Sequence, residues 1–336
     1  MFDFRRRVRA RAGREPSIPV ELTRELVPRG FASDRPVVTN RLFDRLRPED
    51  IAEAERRLEA AGVDGSGDSR EDADDGSRRR LLLSVALWLG VAQVSERTGL
   101  TAELPPDDVH AMARGPLAAA GALYEADMVV NGLLSAGLDV DRIGRALDFG
   151  CSSGRIVRVL AAAYPDVGWQ GCDPIVAAIE WARHHLPGIE FFANHDEPPL
   201  PIGDGELDLV FGISVWSHFE PAFGLRWFDE MRRVLRPGGQ LLMTTHGLTS
   251  IDFYQRADER SPAQSLEIER ALYSSGAWYA AEFGDQGDWG VAHPAWGTAF
   301  LSPEWVLTNL CPRWRVLEFA PGRNADNQDV YVLERV

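Results

Sequence analysis

Between residues 145 and 174 the apolar positions change period twice. A short continuous run, Ala146-Leu147-Asp148-Phe149, breaks at Gly150-Cys151-Ser152-Ser153-Gly154. Ile156, Val159, Leu160 and Ala163 then recur at helical spacing, and a second run, residues 169–172, stops at Asp173-Pro174. The pattern predicts strand, glycine-containing turn, helix, strand, which opens an α/β doubly wound sheet of Rossmann-like type. The alternation continues with a helix over 175–186, a strand over 189–193 and a very apolar strand over 207–214, as in a strand buried on both faces. An amphipathic helix follows, with Phe223, Trp227, Met231 and Val234 on one stripe. It ends at Arg236-Pro237-Gly238-Gly239 and leads into a strand over 239–246; two more strands are expected at 313–319 and 329–334.

Upstream of the sheet the pattern is helical. Residues 1–40 carry scattered prolines and no sustained period, and read as an extended arm or a disordered one. Pro48-Glu49-Asp50 opens a helix that Gly62 stops, because proline suits the first turn and acids suit its positive end. Residues 64–77 are a polar, acid-rich run with nothing to bury, read as a flexible linker. Residues 81–94 are strongly apolar but too short to span a bilayer, which needs about twenty residues, so they are expected as a buried helix. Two or three helices are expected over 81–138, the last at 117–136. The chain thus divides into 1–80 (arm, short helix, linker), 81–140 (helical lid or prefix) and 141–336 (the sheet domain), with 248–311 as a substrate-side insert.

The chemistry concentrates at the turn after the first strand. Gly150 and Gly154 allow the backbone to come close to a ligand. Asp173, about twenty residues on, stands where an acid accepts hydrogen bonds from ribose hydroxyls, so the ligand is expected to contain a nucleoside. A dinucleotide fingerprint would need GxGxxG, but Ser152 holds the middle place. The same five residues match GxSxG, the nucleophile elbow of serine hydrolases, with Asp208 and either His246 or His293 available to complete a triad. A third reading accounts for more residues.

LDFGCSSGR followed by GCDP resembles motif I and the second-strand acid of class I S-adenosylmethionine-dependent methyltransferases. Two further segments match independently: PLPIGDGELD resembles the family's loop before the fourth strand, and RVLRPGG followed by GQLLMTTH resembles its turn into the fifth. The likeness covers residues 145–248. It implies a seven-stranded sheet of order 3-2-1-4-5-7-6 with the last strand antiparallel, and S-adenosylmethionine as cofactor. It places Asp148 near the methionine amino group and Asp173 on the ribose. The cofactor set it implies is completed by Gly150, Cys151, Ser152, Gly154, Arg155, Pro174, Asn194, His195, Asp196, Ser214 and Val215. In this family a helix just before motif I often closes over the cofactor, a role open to Tyr124 and Asp127, which otherwise read as a surface pair. SVWSHF resembles the segment after the fourth strand that faces donor and acceptor. His218 within it, and His246, are the catalytic candidates, since a histidine in a cleft takes a proton near neutral pH. His218 is equally readable as a structural histidine at a helix start.

Composition narrows the partners. A formal charge of −15 opposes gripping a phosphate backbone, so nucleic acid is not expected as a partner. No residue is lysine, which removes Schiff-base chemistry and the P-loop lysine, and points to a GC-rich bacterial source. Three cysteines without a CxxC pair indicate neither a zinc site nor a disulfide framework; no metal is expected, and a reducing cytoplasm is. The amino-terminal segment lacks the apolar core of a secretory signal, and no membrane association is expected. The insert carries Phe253, Tyr254, Trp278, Phe283 and Trp296 among its aromatics, suited to stacking on a sugar or a planar acceptor. The sequence therefore predicts a methyltransferase acting on a small-molecule or glycan acceptor, at oxygen, by in-line displacement. A serine hydrolase using Ser152, or a non-catalytic nucleoside-binding module of the same fold, stands as the alternative.

Overall fold

The computed structural model describes residues 34–61, 75–112, 116–283 and 291–336. The expected amino-terminal arm up to residue 33, and most of the acidic linker, lie outside the described residues. From Val37 the chain runs through helices α1 (Val37–Phe43), α2 (Pro48–Ala60), α3 (Asp75–Trp88), α4 (Ala92–Thr98), α5 (Pro116–Ala119) and α6 (Leu123–Ser135). The sheet domain follows: β1 (Arg145–Phe149), α7 (Val157–Ala163), β2 (Gly168–Asp173), α8 (Val176–His185), β3 (Glu190–Ala193), β4 (Leu207–Gly212), α9 (Pro221–Val234) and β5 (Leu235–His246). Beyond it come α10 (Leu248–Arg256), α11 (Pro262–Ser275), the strands β6 (Ala277–Ala280) and β7 (Thr298–Leu301), α12 (Pro303–Leu310), β8 (Trp314–Asn324) and β9 (Gln328–Arg335).

The expected sheet is present. β3, β2, β1, β4 and β5 lie side by side in parallel. β9 joins β5 antiparallel and β8 pairs with β9, so the two carboxyl-terminal strands complete the order 3-2-1-4-5-7-6 as its seventh and sixth members. The sheet is larger than seven strands because the insert adds a hairpin: β6 pairs antiparallel with β7, and β7 meets β5 in parallel at His246–Phe300. β4 pairs with β5 as far as Met243, and at His246 the opposite edge of β5 belongs to β9. The hairpin therefore takes the place that β4 vacates, at the carboxyl ends of the strands. This is how a segment distant in sequence comes to wall the ligand face.

Alternation along the strands sorts side chains into two cores. Ala146, Leu209, Phe211, Leu242, Val330 and Val332 face α6, α7 and the amino-terminal helices. Leu147, Val210, Leu241, Met243, Tyr331 and Leu333 face α9 and α12. Helices thus cover both faces, which is why the strands read as near-continuous apolar runs.

The amino-terminal helices are held by a buried charge pair. Arg80 donates from Nε to Asp127 at 2.8 Å, both side chains being fully buried, and Asp127 also accepts from Thr39 Oγ1 at 2.6 Å and from the backbone N–H of Val38 at 2.7 Å. Burial raises the Asp127 pKa, with Arg80 opposing it. Two expected helices are each split. The apolar run over 81–94 breaks at Gly90 (φ +72°) into α3 and α4, and the run over 117–136 breaks at Gly121 (φ +85°) into α5 and α6. At Gly121 the chain passes so close to α7 that an added Cβ would lie 2.6 Å from the Arg155 carbonyl oxygen. Among the described residues no helix is long and apolar enough to cross a membrane.

Candidate active site

A cavity of about 650 Å³ opens at the carboxyl ends of β1, β2, β4 and β5, where a doubly wound sheet takes its ligands. Asp148, Gly150, Cys151, Ser152, Arg155, Asp173, Pro174, Asn194, Asp196, Ser214, Val215, His218 and His246 all line it. Gly154 and His195 are not among the lining residues. Gly154 (φ +78°) packs instead where a side chain would strike Leu186 and Phe191, and exposed His195 lends its carbonyl oxygen to Asn194 Nδ2. Gly150 (φ +79°) is required by its backbone and by Val215, whose Cγ2 would lie 2.6 Å from an added Cβ. Chain packing thus requires both glycines, and of the two only Gly150 also lines the cavity.

Two buried carboxylates mark the β1–β2 end. Asp173 accepts the backbone N–H of Ser152 (2.7 Å) on one oxygen and that of Ile175 (2.9 Å) on the other, which fixes the turn after β1 to the end of β2. Burial pushes its pKa up to about 6, with those two bonds opposing. Asp148 is pushed up to about 8 by burial, and its Oδ2 is buried without a hydrogen-bond partner among the described residues. Asn194 Oδ1 is likewise buried and unpartnered. Unmatched acceptors of this kind in a cavity wall suit a ligand that brings a cation and N–H or O–H donors. S-adenosylmethionine has an ammonium, a sulfonium, a ribose diol and an adenine amine, so the residues fit it.

The helix before β1 reaches this end through a different residue from those read in the sequence. Tyr124 and Asp127 are buried in the helical layer, Asp127 with Arg80, so neither is a surface pair. Glu125 lines the cavity and pairs with Arg155 at 2.6 Å. Ser152 (φ +50°) meets His110 Nδ1 through its hydroxyl at 2.7 Å. Asp208 does not complete a triad with it: that carboxylate accepts from the backbone N–H groups of Gly144 (2.8 Å) and Arg145 (2.9 Å) and pairs with Arg236, at the opposite end of β1.

The β4–β5 end is polar and histidine-lined. Ser214 (φ +62°) donates its backbone N–H to Thr244 Oγ1 at 2.7 Å. Gln328, at the start of β9, ties the region together: its Oε1 accepts from Thr244 Oγ1 (2.6 Å), and its Nε2 donates to Ser214 Oγ (2.8 Å) and lies 3.3 Å from His246 Nε2. Because a carbonyl only accepts, His218 must donate from Nδ1 to Gly297 (2.9 Å), and His246 from Nδ1 to Ala299 (3.1 Å). The acceptor lone pair of each ring is then at Nε2. In His246 that atom receives the Tyr254 hydroxyl at 3.0 Å. His218 is partly exposed to the cavity and stacks on Trp296 at 4.7 Å. Burial lowers the pKa of His218 to about 4 and of His246 to about 3, the latter lowered further by the neighbouring His218, so both rings are neutral bases near pH 7. Gln328 carried no signal in the sequence, since a glutamine opening a strand is common and its partners lie 82–114 positions away.

A doubly wound sheet with buried acids at the ends of β1 and β2 and a cavity across its carboxyl edge defines a nucleoside-binding protein of Rossmann-like fold. Residues 146–239 match the family described as a methyltransferase domain. The chain is 33% identical over 100 residues to the malonyl-[acyl-carrier protein] O-methyltransferase of Hahella chejuensis, covering 30% of this chain and 35% of that protein. It is 36% identical over 102 residues to phthiotriol/phenolphthiotriol dimycocerosates methyltransferase 1 of Mycobacterium ulcerans (30% and 36%). Over 134 residues it is 30% identical to probable thiol methyltransferase 2 of Arabidopsis thaliana (39% and 54%). The chain spans from about a third to about half the length of these relatives. Residues 146–239 thus match a methyltransferase domain, on a sheet whose order is the one expected for the class I, S-adenosylmethionine-dependent methyltransferases.

Proposed function

We propose that the protein transfers a methyl group from S-adenosylmethionine to an oxygen of a small-molecule or glycan acceptor. The observation that carries this reading is one cavity with two buried acids at one end and a histidine with an open lone pair at the other. The cofactor, when bound, supplies an activated methyl group for in-line displacement.

In this reading Asp148 holds the ammonium of the methionine moiety and Asp173 the ribose hydroxyls, while Asn194 and Asp196 serve the adenine. Ser214 and Val215 carry the chain past the reacting centre. His218 takes the proton of the acceptor hydroxyl at Nε2, because its Nδ1–H is already given to Gly297. His246 is assigned a positioning role: both of its nitrogens are engaged, and through Tyr254 and Gln328 it fixes the floor beneath the acceptor. The share of the protein in the rate is then orientation, exclusion of water and removal of one proton. Three free thiols suit a reducing cytoplasm.

Calorimetric titration with S-adenosylmethionine and S-adenosylhomocysteine, run beside Asp173→Ala, tests the cofactor half. Micromolar binding that weakens at least about a hundredfold in the variant is expected. Folded wild-type protein that binds neither compound would overturn the reading. A radiolabelled methyl-transfer screen over phenols and sugars tests the acceptor half.

A further inference from the structure

The acceptor end of the cavity holds an arginine that is already occupied. Arg260 donates from both terminal nitrogens to the two carboxylate oxygens of Glu282, at 2.9 and 3.0 Å. Its side chain is 9% exposed, and its guanidinium carbon lies 5.4 Å from the ring centre of Tyr254 and 5.2 Å from that of Trp278. Glu282 also accepts from Thr298 Oγ1 at 2.8 Å, which holds the carboxylate in place from the β7 side. The pair stands on the same wall as His218: Phe283, next to Glu282, is 5.9 Å from the His218 ring, and Tyr254 reaches His246.

Arginine recognises carboxylates and phosphates through a two-pronged fork, and here the Nη1–Nη2 fork is filled by Glu282, while the buried Nε–H has no partner among the described residues. An anionic acceptor would have to displace Glu282 to take that fork, and would otherwise place its charge beside the Glu282 carboxylate. Arg155, the other arginine lining the cavity among the described residues, is bonded to Glu125. His218 offers its Nε2 lone pair to the acceptor side, whereas that of His246 is taken by Tyr254, and neither ring brings a charge. An ionised acceptor would need no base, whereas a neutral hydroxyl needs one, and His218 has its Nε2 lone pair available. The flat rings of Trp296 and His218, stacked within 23° of parallel, suit a planar ring.

Resting on the methyltransferase reading, we propose that the acceptor is an uncharged, ring-bearing hydroxyl compound, and that Glu282 excludes carboxylates and phosphates by filling the Arg260 fork. Glu282 is thereby a specificity residue that can be converted. The test uses the full chain saturated with S-adenosylhomocysteine, titrated with phenol, benzoate and benzylammonium. Wild type is expected to bind phenol in preference to either ion. Glu282→Gln should gain benzoate affinity by at least about tenfold, because the fork is released. Arg260→Gln leaves the carboxylate facing the cavity and should instead raise benzylammonium affinity by a similar factor. Retained S-adenosylhomocysteine binding shows that each variant is folded. Benzoate or benzylammonium bound by wild type as tightly as phenol, or no gain of ion binding in either folded variant, overturns the proposal. Failure of wild type to bind S-adenosylhomocysteine would instead sink the methyltransferase reading beneath it.

Discussion

His218 donates its Nδ1–H to the carbonyl oxygen of Gly297 at 2.9 Å, and this bond decides which ring nitrogen can accept a proton. A carboxylate in that place would raise the basicity of the ring; a neutral carbonyl orients it with a much weaker effect. Burial then lowers the pKa to about 4. The base form is therefore present above about pH 4 and is lost as pH falls through that value. In an acceptor-methylation assay, kcat/KM should show no His218-linked fall between pH 7 and 5. Replacement by Asn should lower kcat by about 10²–10⁴-fold with little change in cofactor affinity. A clear inflection near pH 6.5 in wild type would contradict this.

The two histidines also predict how stability depends on pH. For both, the folded pKa lies below the ordinary value of 6.5, so between those values the unfolded chain binds more protons than the native one. Their contribution is complete above about pH 6.5 and declines as pH falls toward about 4 for His218 and about 3 for His246. Urea titrations should show this loss in wild type and a reduced loss in His246→Gln.

Asp148 gives the opposite sign. Its pKa of about 8 is above the ordinary carboxylate value, so in the free protein it is largely protonated at pH 7. A cation at Oδ2 favours the ionised form. Binding of S-adenosylmethionine should therefore release protons and tighten as pH rises from 6 to about 8, levelling off beyond. Calorimetry in two buffers of different ionisation enthalpy measures the release directly, and Asp148→Asn should abolish it.

Asp127→Ala would leave Arg80 buried without its carboxylate and strip the acceptor from Val38 and Thr39. Removing one partner of a buried pair costs about 3–5 kcal/mol. The melting temperature should fall by several degrees, with the loss appearing first as amide exchange in α1 and α3.

Gly121→Ala should destabilise by about 1–3 kcal/mol, because φ is +85° and the new methyl group would meet the Arg155 carbonyl oxygen. The same substitution at Gly137, which has φ +83° but no atom near an added Cβ, should cost less. Paired denaturation curves separate strain from collision.

The sequence by itself determined the elements and their order, because a period of two or 3.6 is a property of neighbouring residues. From it came the strand-turn-helix at Asp148–Gly154 and the acid at the end of β2; the 3-2-1-4-5-7-6 order and the cofactor side of the cavity came from the family resemblance that those motifs carry. Tertiary structure decided which side chains meet. It put Glu125 in the cavity where Tyr124 and Asp127 were read, since α6 turns those two into the helical layer, Asp127 onto Arg80. It gave His218 and His246 different lone-pair environments, because the β6–β7 hairpin takes the place vacated by β4 and brings the carbonyl oxygens of Gly297 and Ala299 onto rings 79 and 53 positions away. The Arg260–Glu282 fork and the Gln328 network arise in the same way. Contacts of that range follow from how layers pack, and no local pattern encodes them.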